Sequence, residues 1–204
     1  MSGALAQAAE KAREGTEVLE GLDLCRENTE NLDLSDLTFR GVSFHACRFT
    51  ACRLDGAAFY DCTLSDCLFA DCGLPVSFWS RCHLTGCKAD GADFRRSRFK
   101  DCALRDCVLR YANLTNSVWE RCTLASCSLA ESALAESRIS KTVFQTVDLT
   151  GAELFRTPLR GLDLTGCTLD RVIFSETCAE LKGAKIAAGQ APVVARILGI
   201  TVEP

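Results

Sequence analysis

Cysteine is the residue type through which this chain could most readily do chemistry. The 204 residues include 14 cysteines but only two histidines, His45 and His83. Many cysteines recur with four residues between them, as at Cys62, Cys67 and Cys72. Thiolates bind metal ions, exchange disulfides and attack electrophiles. Which of these reactions is open to the chain depends on the elements that hold the thiols.

Those elements follow a five-residue repeat that runs from Leu34 to Phe174. Every fifth residue is large and apolar over 29 consecutive positions, with Ala89 as the one small exception. Two residues before each of them, 23 of the 29 positions hold Cys, Ala, Ser or Thr, and 12 of the 14 cysteines are among these. On an α-helix, residues five apart point about 140° away from each other, so the large residues would form no apolar stripe. On a flat strand, they would point to opposite faces in turn. The period predicts a repeat solenoid and argues against an enzyme.

All the large residues can point to one interior if each five-residue unit is a short strand followed by a corner. The large residue and the residue two positions before it then point inward, and the other three face solvent. Four such sides make a coil of twenty residues, so each residue stacks on the residue twenty positions later at about 4.8 Å, the usual strand spacing. One predicted ladder contains Phe39, Phe59, Trp79, Phe99, Trp119, Ile139 and Leu159.

This geometry places the repeat cysteines in the interior. Successive inward cysteines point from different walls, whereas structural zinc sites use closer pairs with histidine, so we expect no metal site. Stacked thiols such as Cys47 and Cys67 would hold their Cβ atoms about 4.8 Å apart, wider than a disulfide allows. The remaining interpretation is that cysteine is a small apolar filler. We also expect neither catalysis nor a cofactor, because no nucleophile lies beside His45 or His83 and no phosphate-binding loop is present.

So many free thiols indicate a reducing compartment. The sequence has no apolar run of 18 residues and no signal-like N-terminal segment. We therefore expect a cytoplasmic protein that makes no membrane contact.

Several segments carry the consensus of a known family. "GADF" at 91–94, "YANL" at 111–114 and "GAEL" at 151–154 resemble the A(D/N)LxX unit of the pentapeptide repeat proteins. The resemblance implies an all-β solenoid, a right-handed quadrilateral β-helix, with a short N-terminal helix and a C-terminal helix. We expect three regions: an N-terminal helical cap or tail at 1–21 with Ser2 as its N-cap, the β-helix at 22–178, and a C-terminal cap and dimerisation module at 179–204.

Two further segments are similar to the Qnr/MfpA quinolone-resistance group of that family. They are "QAPVVARILGITV" at 190–202 and "GCKADGADFRRSRF" at 86–99, in which Ala89 occupies the inward position. The resemblance implies an acidic dimeric rod that imitates duplex DNA, binds DNA gyrase or topoisomerase IV, and either inhibits the enzyme or protects it from quinolones or toxins. With no insertion in the repeats, the chain is more similar to the loop-free MfpA type. The candidate homodimer interface is Val193, Val194, Ile197, Leu198, Ile200 and Val202, with the last two as a possible strand. The simpler alternative is that this segment only covers the last coil.

The outward charges divide unevenly among the four walls. The whole chain has a net charge of −4. The wall of Leu34 has a net charge of −3, and its candidate partner-binding residues are Asp33, Asp36, Asp55, Asp93, Glu136 and Glu153. We expect this acidic wall to meet the basic DNA groove of a topoisomerase. The wall of Phe39 has a net charge of +5. We do not expect it to bind nucleic acid, because it lacks exposed aromatic residues between its cations.

Two other functions stay open. The first is a structural or interaction scaffold with an unrelated protein partner, for which the charges only keep the rod soluble. The second is an ice-binding surface, because Thr63, Thr85, Thr123 and Thr165 fall on one wall. His45, His83 and Arg105 interrupt that surface, which argues against the second.

Overall fold

Short parallel strands stack into a solenoid with four sides. The computed structural model describes residues 3–203. Numbered along the chain, face 1 contains β1 (Val18–Glu20), β4 (Thr38–Arg40), β7 (Ala58–Tyr60), β10 (Phe78–Ser80), β12 (Arg98–Lys100), β14 (Val118–Glu120) and β16 (Arg138–Ser140). Face 2 contains β2 (Asp23–Cys25), β5 (Ser43–His45), β8 (Thr63–Ser65), β11 (His83–Thr85), β13 (Ala103–Arg105), β15 (Thr123–Ala125) and β17 (Val143–Gln145).

The other two sides are paired more sparsely. Face 3 contains β3 (Asn28–Glu30), β6 (Arg48–Thr50) and β9 (Leu68–Ala70), and single-residue bridges continue it to Thr168. Face 4 consists only of such bridges, from Asp33 to Ile173. All strand pairs are parallel and join residues twenty positions apart, as in Phe39↔Phe59. The predicted solenoid with a twenty-residue coil is therefore confirmed.

The inward residues form continuous ladders. His83 N donates to Cys62 O at 3.0 Å and Ala103 N donates to Cys82 O at 2.9 Å, which places Cys82 level with Cys62 and Cys102 as predicted. The rings of Phe39, Phe59, Trp79, Phe99 and Trp119 stack in one column, with neighbouring centroids 4.7, 3.9, 6.0 and 4.0 Å apart. Each buried Leu or Phe contributes roughly 1.5–3 kcal/mol of burial free energy.

The corners require a left-handed backbone two residues after the inward residue. Asp36, Asp61 and Asn116 have φ values of 60°, 55° and 59° there, and Gly56 has 67°. Gly, Asn and Asp tolerate this region, whereas β-branched residues do not. Val76 nevertheless occupies such a corner with φ 61°. This corner residue turns the chain, so that the next short strand runs along the next side of the coil.

The solenoid begins earlier than the apolar period suggests. β1 lies inside the segment expected to be an N-terminal cap at 1–21, and Leu19, Leu24 and Thr29 fill the inward positions of the first coil. The helix α1 (Ala4–Arg13) buries Leu5, Ala9 and Ala12 against the core, so it packs as a cap. The predicted N-cap, Ser2, lies outside the described residues.

The solenoid also continues beyond residue 178, but with a changed register. Asp163 bridges Lys185, a separation of 22 rather than 20 residues. The half-buried Leu181 and Ile186 therefore lie next to Leu159 and Leu164 in the inward columns. The two extra residues are accommodated around Cys178, which has φ 49°, and a 3-10 turn at Ala179–Leu181.

The chain ends in a second helix, α2 (Ala191–Ile197), which follows a 3-10 turn at Ala188–Gln190. The side chain of Gln190 anchors this turn to the rod, because its Nε2 donates to the carbonyls of Leu164 and Cys167 at 2.8 and 2.6 Å. Neither α-helix in the described part of the chain is long and apolar enough to span a membrane.

Candidate functional site

The six candidate acidic residues do lie on one side of the rod, face 4, but arginines neutralise most of them. Asp33 pairs with Arg13 and Arg53, each at 3.6 Å, and Arg53 also reaches Asp55 at 3.5 Å. Two further pairs are Arg95–Asp93 at 2.6 Å and Arg156–Glu136 at 3.3 Å. Among residues 3–203, Asp36 and Glu153 are the two candidates without an ion pair.

Hydrogen bonds keep the paired carboxylates ionised. The side-chain and backbone hydrogen bonds from Ser35 hold the pKa of Asp33 below its ordinary value, and Arg53 and Arg13 add to the effect. Burial opposes ionisation of Asp93, but hydrogen bonds from Arg95 outweigh it and lower the pKa of that carboxyl. Both groups therefore stay charged at neutral pH.

Face 4 also carries apolar residues between its charges. Val76 is 59% exposed, Ile173 is 53% exposed and Phe155 is 37% exposed. These side chains lie on the same side of the rod as the acidic candidates. Face 4 is therefore a mixed surface rather than a uniformly acidic one.

Face 1 holds the largest group of unpaired charges. Its three acidic residues between β4 and Arg160 all form ion pairs with two arginines. Arg81 binds Asp61 through two hydrogen bonds of 2.6 and 2.7 Å, and Arg121 binds Asp101 and Glu120. In the part of the chain that the structure describes, six cations of this face have no ion pair: Arg40, Arg98, Lys100, Arg138, Lys141 and Arg160.

The sequence interpretation overlooked two outward aromatic residues on face 1. Tyr60 and Phe78 lie on neighbouring strands with ring centroids 5.4 Å apart, and the guanidinium of Arg40 lies 5.9 Å from the Tyr60 ring. Both rings are half-buried. A twenty-residue alignment of the outward positions would have found them, because Tyr60 and Phe78 flank the inward residues Phe59 and Trp79.

The repeat cysteines are buried, and their thiols donate to backbone carbonyls. Cys62 Sγ donates to Phe39 O and Cys82 Sγ to Phe59 O, both at 3.4 Å. Burial raises the pKa of the Cys167 thiol, and the neighbouring thiols together with burial raise the pKa of Cys82. No group of three or more His, Cys, Asp and Glu side chains within residues 3–203 is placed to hold a metal ion. These contacts agree with a packing role for the thiols.

The candidate dimer residues separate into two groups. Val193, Val194 and Ile197 pack against the core of the rod. Leu198, Ile200 and Val202 are 45%, 56% and 50% exposed.

A Schellman turn ends α2 between the residues that pack against the rod and the exposed Ile200 and Val202. Gly199 has φ 74°, Gly199 N donates to Arg196 O at 3.0 Å, and Ile200 N donates to Ala195 O at 2.8 Å. Residues 200–203 form no strand, although the sequence suggested one there. The module therefore covers the end of the rod and leaves an apolar edge exposed.

The comparisons with known proteins agree with this architecture. The family model described as "Pentapeptide repeats" matches eight repeat copies over residues 80–107 and 102–140. No curated protein sequence is significantly similar to the chain.

Three solved structures are similar. One trypsin-treated variant of QnrB1, "a plasmid-mediated fluoroquinolone resistance protein", has a TM-score of 0.53 and 22% identity, over 92% of this chain and 99% of that one. A second trypsin-treated variant of the same protein has a TM-score of 0.48 and 18% identity, over 91% and 100%. HetL from Nostoc sp. strain PCC 7120, a protein "involved in Heterocyst Differentiation Regulation", has a TM-score of 0.41 and 14% identity, over 91% and 94%.

The matched repeats lie in the middle of a coil that keeps the same twenty-residue step on both sides of them. The first of these structures covers 92% of this chain, so the shared fold extends well beyond the matched repeats. Together these findings show that the chain contains pentapeptide repeats and that its fold resembles that of QnrB1.

Proposed function

We propose that this chain is a non-catalytic, DNA-mimicking protein that binds DNA gyrase or topoisomerase IV and modulates the enzyme or protects it from quinolones or toxins. The observation that carries the proposal is the fold match with QnrB1, a fluoroquinolone resistance protein, over 92% of this chain. The uninterrupted pairing of residues twenty positions apart on face 4 supports it, because it gives the rod one continuous side, as the side of a short duplex is continuous.

Face 4 is the surface that we assign to the enzyme. Asp36 and Glu153 present free carboxylates near its two ends, and the carboxylates between them are held by exposed arginines such as Arg53. Exposed ion pairs contribute only about 0–1 kcal/mol, so the cations of a basic groove can replace these arginines. The groove would thus meet more negative charge than the free chain displays.

A gyrase supercoiling assay with and without ciprofloxacin tests the proposal. The variant Asp36→Asn/Glu153→Gln should lose several-fold in potency, because the two unpaired carboxylates among the six acidic candidates are removed. The matched control Asp71→Asn/Asp170→Asn removes the same charge from face 3 and should behave like the wild type. A wild-type protein that neither binds, inhibits nor protects either topoisomerase eliminates the proposal. Equal potency of all three proteins would show that face 4 is the wrong surface.

We further propose a homodimer through the exposed edge of the C-terminal module. Leu198, Ile200 and Val202 supply apolar area that the rod leaves uncovered, and a twofold axis would pair it with the same edge of a second copy. Ile200→Asp should give monomers in light scattering, whereas the control Ile173→Asp, equally exposed on face 4, should stay dimeric. A wild-type protein that is already monomeric at micromolar concentration would contradict the dimer.

A second candidate function is that of an interaction scaffold with an unrelated protein. It is favoured by the ion pairs that neutralise four of the six acidic candidates and by the apolar Val76, Phe155 and Ile173 beside them. The gyrase assay separates the two functions. For either function we propose a reducing, cytoplasmic location, because all 14 cysteines are free thiols.

A further inference from the structure

We propose that face 1 is a second binding surface, which takes the phosphate backbone of a nucleic acid. The proposal goes beyond the topoisomerase function, because it concerns a different side of the rod and a different partner. It also reverses the expectation from the sequence, which rested on a lack of exposed aromatic residues between the cations of this wall, because the half-buried rings of Tyr60 and Phe78 lie there.

The pairing of charges is the first argument. Asp61, Asp101 and Glu120 are all bound by Arg81 and Arg121. Asp61 and Asp101 act on Arg40 and Lys100 only through longer-range attraction. Glu20 on β1 lies opposite Arg40, without an ion pair in the described part of the chain. The six remaining cations (Arg40, Arg98, Lys100, Arg138, Lys141 and Arg160) have no ion pair within residues 3–203. An acidic chain of net charge −4 therefore concentrates unpaired positive charge on one side. Such a concentration attracts an anionic partner to that side.

The geometry of the face is the second argument. The seven strands of face 1 are parallel and in register, so their outward side chains lie in straight rows. At about 4.8 Å per strand, the row from Arg40 to Arg160 spans six steps, or roughly 29 Å. Arg98 and Lys100 project from one strand, and Arg138 projects two strands further on. Four of the six cations are therefore held by strands: Arg40, Arg98, Lys100 and Arg138. Lys141 occupies the corner after β16, and Arg160 lies one coil further on.

Cations spread along the length of one face fit a polyphosphate better than an acidic protein. Duplex DNA places one phosphate about every 3.4 Å along each strand, so a face of this length lies against several phosphates at any position along the duplex. Four of the six cations are arginine, whose planar guanidinium binds phosphate oxygens through paired hydrogen bonds. The half-exposed rings of Tyr60 and Phe78 beside Arg40 add a surface on which an unpaired base can stack.

Fluorescence anisotropy with a short labelled DNA duplex, and with its single strand, tests the proposal at several salt concentrations from about 50 mM upward. The test variant is Arg98→Gln/Arg138→Gln/Arg160→Gln. The matched control, Arg26→Gln/Arg48→Gln/Lys88→Gln, removes the same charge from faces 2 and 3. Circular dichroism checks that both variants keep the fold.

The wild type should bind one or both nucleic acids with an affinity that falls steeply with salt. The test variant should bind about tenfold more weakly or worse at the lowest salt, and its slope of log affinity against log salt should be smaller by about 2.7, at about 0.9 for each lost phosphate contact. The control should match the wild type. No binding of either nucleic acid, or an equal loss in the control, would overturn the proposal. Binding of labelled polyglutamate without binding of nucleic acid would assign face 1 to an acidic protein instead, and would overturn it as well.

Discussion

Glu180 replaces a missing acceptor where the register of the solenoid changes. In a regular coil, the amide of Arg156 would donate to the carbonyl of residue 175, as Glu136 N donates to Phe155 O. The two extra residues break this pattern, and the Glu180 carboxylate takes the bond from Arg156 N at 2.9 Å. It also accepts from Ser175 N and from Ser175 Oγ at 2.8 Å, although the residue is only 5% exposed.

Replacing Glu180 by glutamine should loosen this junction. The amide keeps one acceptor oxygen where the carboxylate has two, so at least one donor from Arg156 or Ser175 loses its partner. Because a hydrogen bond to a charged group contributes about 1.5–3 kcal/mol, we expect a loss of about 2 kcal/mol in local stability. That corresponds to roughly 30-fold faster hydrogen exchange. The effect should be confined to the Arg156 and Ser175 amides and the C-terminal module.

The junction should also depend on pH. Burial opposes ionisation of Glu180, but the hydrogen bonds from Arg156 and Ser175 outweigh it and hold the pKa of the carboxyl below its ordinary value. A depressed pKa stabilises the folded state fully above the unfolded value of about 4.3 and loses that contribution as the pH falls through the folded value. Wild-type protection of the module should therefore weaken in acid, and that of Glu180→Gln should not.

Hydrogen exchange followed by mass spectrometry measures both effects. The control is Glu176→Gln, a neighbouring exposed glutamate with no ion pair in the described part of the chain. If Glu180→Gln exchanges like the wild type, or if Glu176→Gln loosens the module equally, the carboxylate does not hold the junction and the reasoning fails.

Two further stability changes can be measured by urea unfolding. Ser77→Ala should cost about 1–3 kcal/mol, because Trp79 Nε1 loses its acceptor at 2.9 Å and Ser97 Oγ loses one of its partners at 2.9 Å. Ser132→Ala, which removes a buried hydroxyl bonded to the Leu129 carbonyl, should cost less, and an equal cost would contradict the role of the indole. Val76→Asn should stabilise the chain by about 1 kcal/mol, because asparagine tolerates the left-handed corner better than a β-branched residue. An unchanged or lower unfolding free energy for that variant would contradict the assigned strain.

The regular part of the fold was predictable because one geometric rule accounts for every pentad between Leu34 and Phe174. The two ends were not predictable from the same rule. Thr29 is polar, which hid the first coil from a search for apolar residues, although its side chain is buried. At the other end, two extra residues moved Leu181 and Ile186 out of phase while leaving them in the inward columns.

The charged surfaces were predictable in position but not in strength. The period alone assigns Asp61 and Arg81 to the same corner of successive coils, yet their two short hydrogen bonds depend on side-chain conformation. The same holds for Arg53, which bridges Asp33 and Asp55 and so weakens the acidic face. Net charge per wall therefore identified face 1 as the most highly charged surface, but it did not show that four of the six acidic candidates on face 4 are paired with arginines.

The fixed step of the coil limits how this protein can change in length. Removing or adding twenty residues would shorten or extend the rod by one coil and leave all four faces aligned. Removing five would rotate everything downstream by a quarter turn, so that the acidic and basic sides would each break and continue on a neighbouring side. The two extra residues near Cys178 are absorbed locally without such a rotation. Where two faces of such a rod must both stay intact, insertions and deletions should therefore come in multiples of twenty residues.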